Sequence, residues 1–314
     1  MTLGPPPRRR TFKALFSGLV RGFGATTPLP DQKFARSIHA PLTATAATIA
    51  KAPLVSVVMT CHDTERHVDA AVDSILAQSW ERLELIVVDD ASTDGSLGRL
   101  RALAALDERV RIISLPSNIG TYRAKNIGLR SARGDVLTFM DSDDTSHPER
   151  IEQQLEPLRR RGITATTCNY FRHTSAGDLV LNRGLRERRA LISLMVKRQV
   201  IDDIGWFDSV RTSADDEYFE RIRLTYGRDA VAHVNKALYM ALVRENSLST
   251  TPDTGVRLDA SANEGLAPLS DVRQAYVESY RDWYARLGSA RMRPYMPDEF
   301  TPDRPFPADP RLIG

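Results

Sequence analysis

Apolar runs typical of buried strands alternate with helical patterns from residue 54 onward. A strand of a parallel sheet is covered on both faces and forms a continuous apolar run, whereas a helix repeats apolar residues every three or four positions. The patterns alternate about every 25 to 30 residues, which is typical of βαβ units with helices on both faces of a mostly parallel sheet. The sequence predicts strands at 54–59, 83–88, 110–113 and 136–140, and helices at 65–78, 96–106 and 121–132.

After residue 144 the pattern is less regular. Over the whole chain, composition and pattern together predict three regions. Residues 1–52 are rich in Pro, Ala, Thr and Arg without a sustained period, which predicts a mobile arm with a short amphipathic helix near 11–20. Residues 53–250 form an α/β domain, and 251–314 form an extension with one helix and a proline-rich tail. The later helices are predicted at 148–161, 186–198, 215–226 and 272–287, and extended segments at 163–170, 179–182 and 230–243.

Composition restricts the class of protein. A hydrophobic content of 42% with 26% charged residues is that of an ordinary soluble domain, and a net charge of +3 gives no reason to expect a nucleic-acid partner. The basic cluster 8–10 suggests peripheral contact with an anionic membrane surface as the alternative to a solvated arm. Two cysteines, Cys61 and Cys168, suit a reducing compartment, and we find neither a signal-peptide pattern nor a bilayer-spanning run. We therefore expect a cytoplasmic protein, with the inner membrane face as its alternative location.

An acidic segment follows directly after the predicted strand that ends at Met140. Asp141, Asp143 and Asp144 would stand at the carboxyl edge of the sheet, where three carboxylates are costly unless a cation neutralises them. In an extended segment, residues two apart share a face, so Asp141 and Asp143 would offer oxygens together to Mg²⁺ or Mn²⁺. A solvated loop before the helix near Pro148 is the structural alternative.

The first strand is not followed by a glycine-rich turn, and the chain has no Walker A motif. A nucleotide would therefore need another positive charge at its phosphates, and a metal ion on Asp141 and Asp143 would supply it. Asp89 and Asp90 end the second strand, where their oxygens could accept hydrogen bonds from a base or a ribose, although a turn with a helix cap explains part of this segment.

Several segments together resemble the family 2 inverting glycosyltransferases, which have the nucleotide-sugar-binding GT-A fold. The resemblance covers roughly residues 54–160 and is carried by the order of its motifs rather than by one of them. The matching segments are Val55–Thr60, Val87–Asp94, Asn118–Gly120 with Ala124–Leu129, and Gly134–Asp135 followed by Asp141–Asp144.

The resemblance implies roles in a donor site. Residues 53–160 would be the nucleotide-binding half and 161–250 the acceptor half. Asp143 would be the direct ligand of Mn²⁺ or Mg²⁺, assisted by Asp141. The residues implied in binding the nucleotide sugar are Thr60, His62, Asp90, Lys125, Asp141, Asp144 and Arg244.

Two departures from the family pattern lie in the second half. The segment 214–221 resembles the acceptor-side helix whose opening aspartate is the catalytic base, which implies Asp215, with Asp216 as its rival and Ala214 in place of the usual glutamate. Charges that favour a helix N-terminus are the structural alternative. Arg244 stands where a metal-binding histidine is frequent; arginine cannot bind a cation but could hold a diphosphate.

The resemblance implies an enzyme that moves a sugar from a nucleoside-diphosphate sugar, with a UDP-sugar favoured, to a hydroxyl of a glycan or lipid-linked acceptor. Polysaccharide or cell-envelope synthesis is the expected setting. A nucleotidyltransferase would need a glycine-rich basic loop after the first strand, and this loop is missing. A non-catalytic scaffold or binding protein with a degenerate transferase fold is the alternative from another class.

Overall fold

The computed structural model describes residues 52–181, 184–244, 270–297 and 304–313. The predicted N-terminal arm and its short helix lie outside these residues, so the three-region division stays a prediction. No helix within the described ranges is both long and apolar enough to cross a bilayer.

A single mixed sheet forms the centre of the described domain. Its strand order is β3-β2-β1-β4-β8-β6-β9-β5, and β7 pairs with β6 outside this path. The first four strands of the chain are parallel where they pair, whereas β8 is antiparallel to both β4 and β6. The strands are β1 Val55–Cys61, β2 Leu83–Asp89, β3 Val110–Ser114, β4 Val136–Asp141, β5 Thr145–Ser146, β6 Ala165–His173, β7 Leu179–Val180, β8 Arg188–Lys197 and β9 Val231–Leu242.

Helices cover both faces of this sheet, as the sequence predicts for a GT-A fold. One apolar core lies between the sheet and α3, α6 and α7, and the other lies between the sheet and α1, α2 and α4. The fully buried pattern of β1 and β2 explains their uninterrupted apolar sequences. The helices are α1 Val68–Leu76, α2 Ser96–Leu106, α3 Thr121–Ser131, α4 Arg150–Leu158, α5 Gln199–Ile204, α6 Ala214–Tyr226, α7 Asp271–Ser289 and α8 Pro310–Ile313, with a 3₁₀ turn at Arg228–Ala230.

Helix α3 lies unusually close to the sheet, and this closeness fixes the position of its N-terminal half. A Cβ placed on Gly128 would lie 2.4 Å from Cγ1 of Val58 and 3.2 Å from Cγ2 of Val88. A side chain there would force the helix outward, because close-packed interiors do not yield by such amounts. Glycine therefore sets the depth at which the polar residues of α3 stand.

The prediction of a helix at 186–198 is wrong, because β8 occupies most of this segment. Its alanine, leucines, methionine and arginines have good helix propensity, which is a weak preference that tertiary context overrides. Here β8 fills the gap between β4 and β6, where its backbone completes the sheet and its last five residues are buried. The helix begins only at Gln199.

The C-terminal extension packs on α6 through a buried polar network. Glu217 and Arg221 form an ion pair of 2.8 Å with neither side chain exposed, and the hydroxyl of Tyr284 on α7 donates to Glu217 at 2.7 Å. Arg221 also donates to the carbonyl oxygens of Ile204 and Trp206. Because both charges are fully buried, each depends on the other.

We predict that Arg221→Met lowers the free energy of unfolding by about 3–5 kcal/mol, because it leaves the Glu217 carboxylate buried without its cation. Arg160→Met is the matched control, since Arg160 pairs with Glu156 in solvent and such pairs contribute at most about 1 kcal/mol. Chemical denaturation measures both variants. Equal losses in the two would show that the buried pair does not support the extension.

Candidate functional site

The acidic segment after β4 forms a tight turn rather than an extension of the strand. Asp141 is the last residue of β4, and the N–H of Asp144 donates to the carbonyl oxygen of Asp141 at 3.2 Å. The expectation that Asp141 and Asp143 share the face of an extended segment is therefore wrong. The turn directs the carboxylates of the segment to different partners.

Two of these carboxylates are paired with cationic side chains of the chain itself. Nζ of Lys125, on α3, lies 3.0 Å from Oδ1 of Asp141, and only 6% of the Lys125 side chain is exposed. Nε of Arg244, just after β9, donates to Oδ2 of Asp143 at 2.6 Å. The structure thus brings together four residues that the sequence assigned to one site, in two ion pairs.

Asp144 points inward and connects the turn to β9. Its Oδ2 accepts from the hydroxyl of Tyr239 at 2.7 Å, and its Oδ1 accepts from the N–H of Leu242 at 2.8 Å. The Tyr239 hydroxyl in turn accepts from the N–H of Asp141 at 3.3 Å. These bonds fix the turn against β9, which is a supporting role, and the predicted contact of Asp144 with the donor stays a prediction. Tyr239 was not identified from the sequence.

Burial and neighbouring carboxylates raise the pKa values of two acids of the turn. Burial, and then the neighbouring Asp141, raises the pKa of Asp143, although Arg244 acts in the opposite direction. Burial, followed by Asp143 and Asp141, raises the pKa of Asp144 well above its usual range. The segment is therefore a place where negative charge is costly and a cation is favoured.

The residues of the turn do not assemble the set of ligands that a divalent ion needs. In the part of the chain that the structure describes, no group of three or more His, Cys, Asp or Glu side chains is arranged to hold a metal. Asp143, the predicted direct ligand, is bonded to Arg244, and Asp141 is bonded to Lys125. The described geometry thus does not fit the predicted Mn²⁺ or Mg²⁺ site.

The predicted nucleotide contacts lie at the ends of β1 and β2. Asp90 accepts from the N–H groups of Ile119 and Gly120, both at 2.8 Å, so that its carboxylate fixes the loop that leads into α3. Nδ1 of His62 is 2.8 Å from the carbonyl oxygen of Asp90. Asp90 is thus a structural clamp, and its predicted bond to a base would use the lone pairs that remain.

Thr60 joins the same region to the first residue of α3. Its hydroxyl is 2.9 Å from the hydroxyl of Thr121. Thr60, His62 and Asp90 therefore stand together beside the N-terminus of α3, as parallel strands ending at one edge require. Their contact with a nucleotide stays a prediction.

The predicted base, Asp215, is bonded to α3 as well. Its Oδ1 accepts from the hydroxyl of Tyr122 at 2.6 Å. Burial, and then Asp215, Asp216 and Asp141, raises the pKa of Tyr122 well above its usual range, so this phenol stays a donor and lies near acids of both groups. Asp216 is the more exposed of the two candidates. Which of the two acids is the base stays a prediction.

Tyr122 was missed in the sequence, although its spacing could have identified it. It precedes Lys125 by three positions on α3, which places both on one face of the helix. Nζ of Lys125 lies 5.2 Å from the centroid of the Tyr122 ring. One helical turn therefore connects Asp141 of the acidic turn with Asp215 of α6, two acids that are distant in sequence.

Comparison with protein families gives one match over more than half of the chain. Residues 56–219 match the model of Glycosyl transferase family 2. The match contains the acidic turn, α3 and Asp215, and it ends before Arg244.

Several related proteins match a part of the chain. An uncharacterized glycosyltransferase of Haemophilus influenzae is 37% identical over 118 residues, which are 38% of this chain and 47% of that protein. A Bacillus subtilis protein named as the teichuronic acid biosynthesis glycosyltransferase TuaG is 36% identical, with the same coverage of both chains. The chain thus spans less than half the length of these relatives.

A solved structure shares the fold. The structure of S. aureus TarS residues 1–349 in complex with UDP-GlcNAc has a TM-score of 0.51 and 20% sequence identity, and the match covers 62% of this chain and 59% of that one. At this identity the likeness concerns the fold alone. It agrees with the GT-A architecture of the described sheet.

We predict that Asp90→Asn loosens the loop before α3, because an asparagine side chain offers one acceptor to two N–H groups. Hydrogen exchange at the amides of Ile119 and Gly120 should accelerate by about 10- to 100-fold, because the free-energy cost of one unsatisfied hydrogen bond makes opening of the loop easier by about this factor. Asp178→Asn, at an exposed carboxyl, is the control. Unchanged exchange in Asp90→Asn would mean that the clamp contributes nothing.

Proposed function

The chain belongs to Glycosyl transferase family 2, and we propose that it transfers a sugar from a nucleoside-diphosphate sugar to an acceptor hydroxyl with inversion at the anomeric carbon. The observation that carries this proposal is the connection through α3, where Lys125 meets Asp141 while Tyr122 meets Asp215. A single displacement needs two tasks from the protein, which are holding the donor and accepting a proton. Acids beside the donor site and a separate acid in the first turn of α6 suit these two tasks.

In the proposed reaction Asp215 accepts the proton of the acceptor hydroxyl as its oxygen attacks the anomeric carbon. The bond from that carbon to the diphosphate oxygen breaks, and its electron pair leaves with the nucleoside diphosphate. Attack opposite to the leaving group inverts the configuration. Charge developing on the diphosphate requires cations beside it, and Lys125 and Arg244 are cationic side chains that the acidic turn holds in place.

The donor proposal rests on the position of Thr60, His62 and Asp90 beside the N-terminus of α3. A UDP-sugar is the favoured donor, and a protein of the same fold, TarS, is described in complex with UDP-GlcNAc. Family membership supports Mn²⁺ or Mg²⁺ as a cofactor, but the described residues provide no ligand set for it. The metal therefore stays a prediction.

The acceptor is proposed to be a glycan or a lipid-linked glycan in polysaccharide or cell-envelope synthesis. The name of the relative TuaG refers to teichuronic acid biosynthesis and supports this setting. Work at the inner face of the membrane, with the basic N-terminal residues as its contact, is part of the same proposal, and those residues lie outside the described ranges.

A non-catalytic scaffold is the second candidate, because Arg244 closes off Asp143 and Ala214 precedes the base position. Hydrolysis of UDP-, GDP- or dTDP-sugars separates the two, since a transferase releases its donor sugar slowly to water and a scaffold does not. No hydrolysis of any of these, with and without Mg²⁺ or Mn²⁺, would favour the scaffold.

We predict that Asp215→Asn lowers transfer by about 10²- to 10⁴-fold, the usual contribution of a general base, while donor affinity stays the same. Asp216→Asn should retain most of the transfer. Steady-state kinetics and equilibrium binding of the nucleotide measure the two effects separately. A loss in Asp216→Asn with activity retained in Asp215→Asn would exchange their roles.

We predict that Tyr122→Phe lowers kcat about tenfold, because the Tyr122 hydroxyl gives Asp215 a hydrogen bond of the charge-assisted kind. Tyr170→Phe, on β6, is the matched control. An unchanged kcat would show that Tyr122 does not position the base.

A further inference from the structure

The ion pairs of the acidic turn place two fixed cations where a metal ion would otherwise be required. Asp144 faces β9 and is occupied by the Tyr239 hydroxyl and the N–H of Leu242. Of the three carboxylates, Asp141 and Asp143 remain at the rim, and each has its own cationic partner. Two negative charges thus meet two positive charges without any bound ion.

Lys125 already occupies Oδ1 of Asp141, and Arg244 occupies Oδ2 of Asp143, so a divalent ion would compete with both side chains for these carboxylates. It would then stand within a few ångströms of an ammonium and a guanidinium group, which repel it in a partly desolvated site. Lys125 has little freedom to move away, since it is nearly buried on a helix that Gly128 fixes against the sheet. The charge of these two side chains therefore opposes a divalent ion at the acidic turn.

The same two side chains are suited to a diphosphate. Arginine presents five N–H donors in one plane, a geometry that matches the oxygens of a phosphate group. The ammonium of lysine is a compact charge with three donors. Lys125 comes from α3 and Arg244 from the segment after β9, and they meet carboxylates two residues apart, so both cations stand at the acidic turn.

We propose that Lys125 and Arg244 neutralise the diphosphate of the sugar nucleotide in place of a divalent cation, so that the donor binds without metal. This inference rests on the proposed function. It makes Arg244 a binding residue rather than a lost metal ligand.

Calorimetric titration of the full chain with UDP, GDP and dTDP tests the inference, in a chelating buffer and in a buffer with Mn²⁺. We expect one of the three to bind with the same Kd in both buffers. Arg244→Ala should raise that Kd in the chelating buffer by about 10- to 100-fold, because it removes hydrogen bonds from a charged group. Arg244→Lys should recover part of the lost affinity. Arg160→Ala, at an exposed arginine of the segment after α4, should leave the Kd unchanged.

Other results would contradict either the metal-free inference or the proposed function. Binding that requires Mn²⁺ would overturn the metal-free inference and leave the proposed function standing. Saturable Mn²⁺ binding by the nucleotide-free protein, followed by electron paramagnetic resonance, would overturn it as well. If none of the three nucleotides binds in either buffer, the proposed donor class fails, and this inference fails with it. Thermal melting of each variant confirms that a loss of binding is not a loss of folding.

Discussion

The cost of burying carboxylates at the carboxyl edge of the sheet is the constraint on which the rest of the site depends. A strand that ends in the core brings its following acids into a region of low solvation. There, burial and neighbouring carboxylates raise the pKa values of Asp143 and Asp144. The chain meets this cost with a cation or a hydrogen-bond donor for each one: Lys125 for Asp141, Arg244 for Asp143, and Tyr239 with a backbone N–H for Asp144. The turn is consequently fixed from three sides before any ligand arrives.

Helix α3 transmits this arrangement to the acceptor half. Besides Tyr122 and Lys125, it carries Asn126, whose side chain donates to the carbonyl oxygen of Phe207 at 2.9 Å and accepts from the Phe207 N–H at 3.0 Å. That bond pair fixes the segment leading to α6, and the proposed base Asp215 lies in the first turn of α6. Because Gly128 sets the depth of α3 against β1, a change of packing far from the acids would displace both groups together.

The sequence predicted the first half of the domain well because local pattern and tertiary environment agree there. Strands buried on both faces leave continuous apolar runs, and the family motifs follow each of them. The wrong predictions fall where the tertiary environment, rather than the local sequence, determines the structure. The segment that forms β8 has helical propensity but completes a sheet, and the segment 141–144 turns because β9 bonds its last acid. The partners of the acids come from residues 16 to 101 positions away, so no local pattern could assign them.

The most direct test of the account is the position of a nucleoside diphosphate in crystals of the chain grown with UDP or GDP and Mn²⁺, with anomalous scattering recorded at the manganese edge. The account predicts phosphate oxygens within hydrogen-bond distance of Lys125 and Arg244, and no manganese peak between Asp141 and Asp143. A nucleotide bound away from the acidic turn would contradict the assignment of the donor site. A manganese ion on Asp143 with Arg244 displaced would contradict the charge balance from which the account begins.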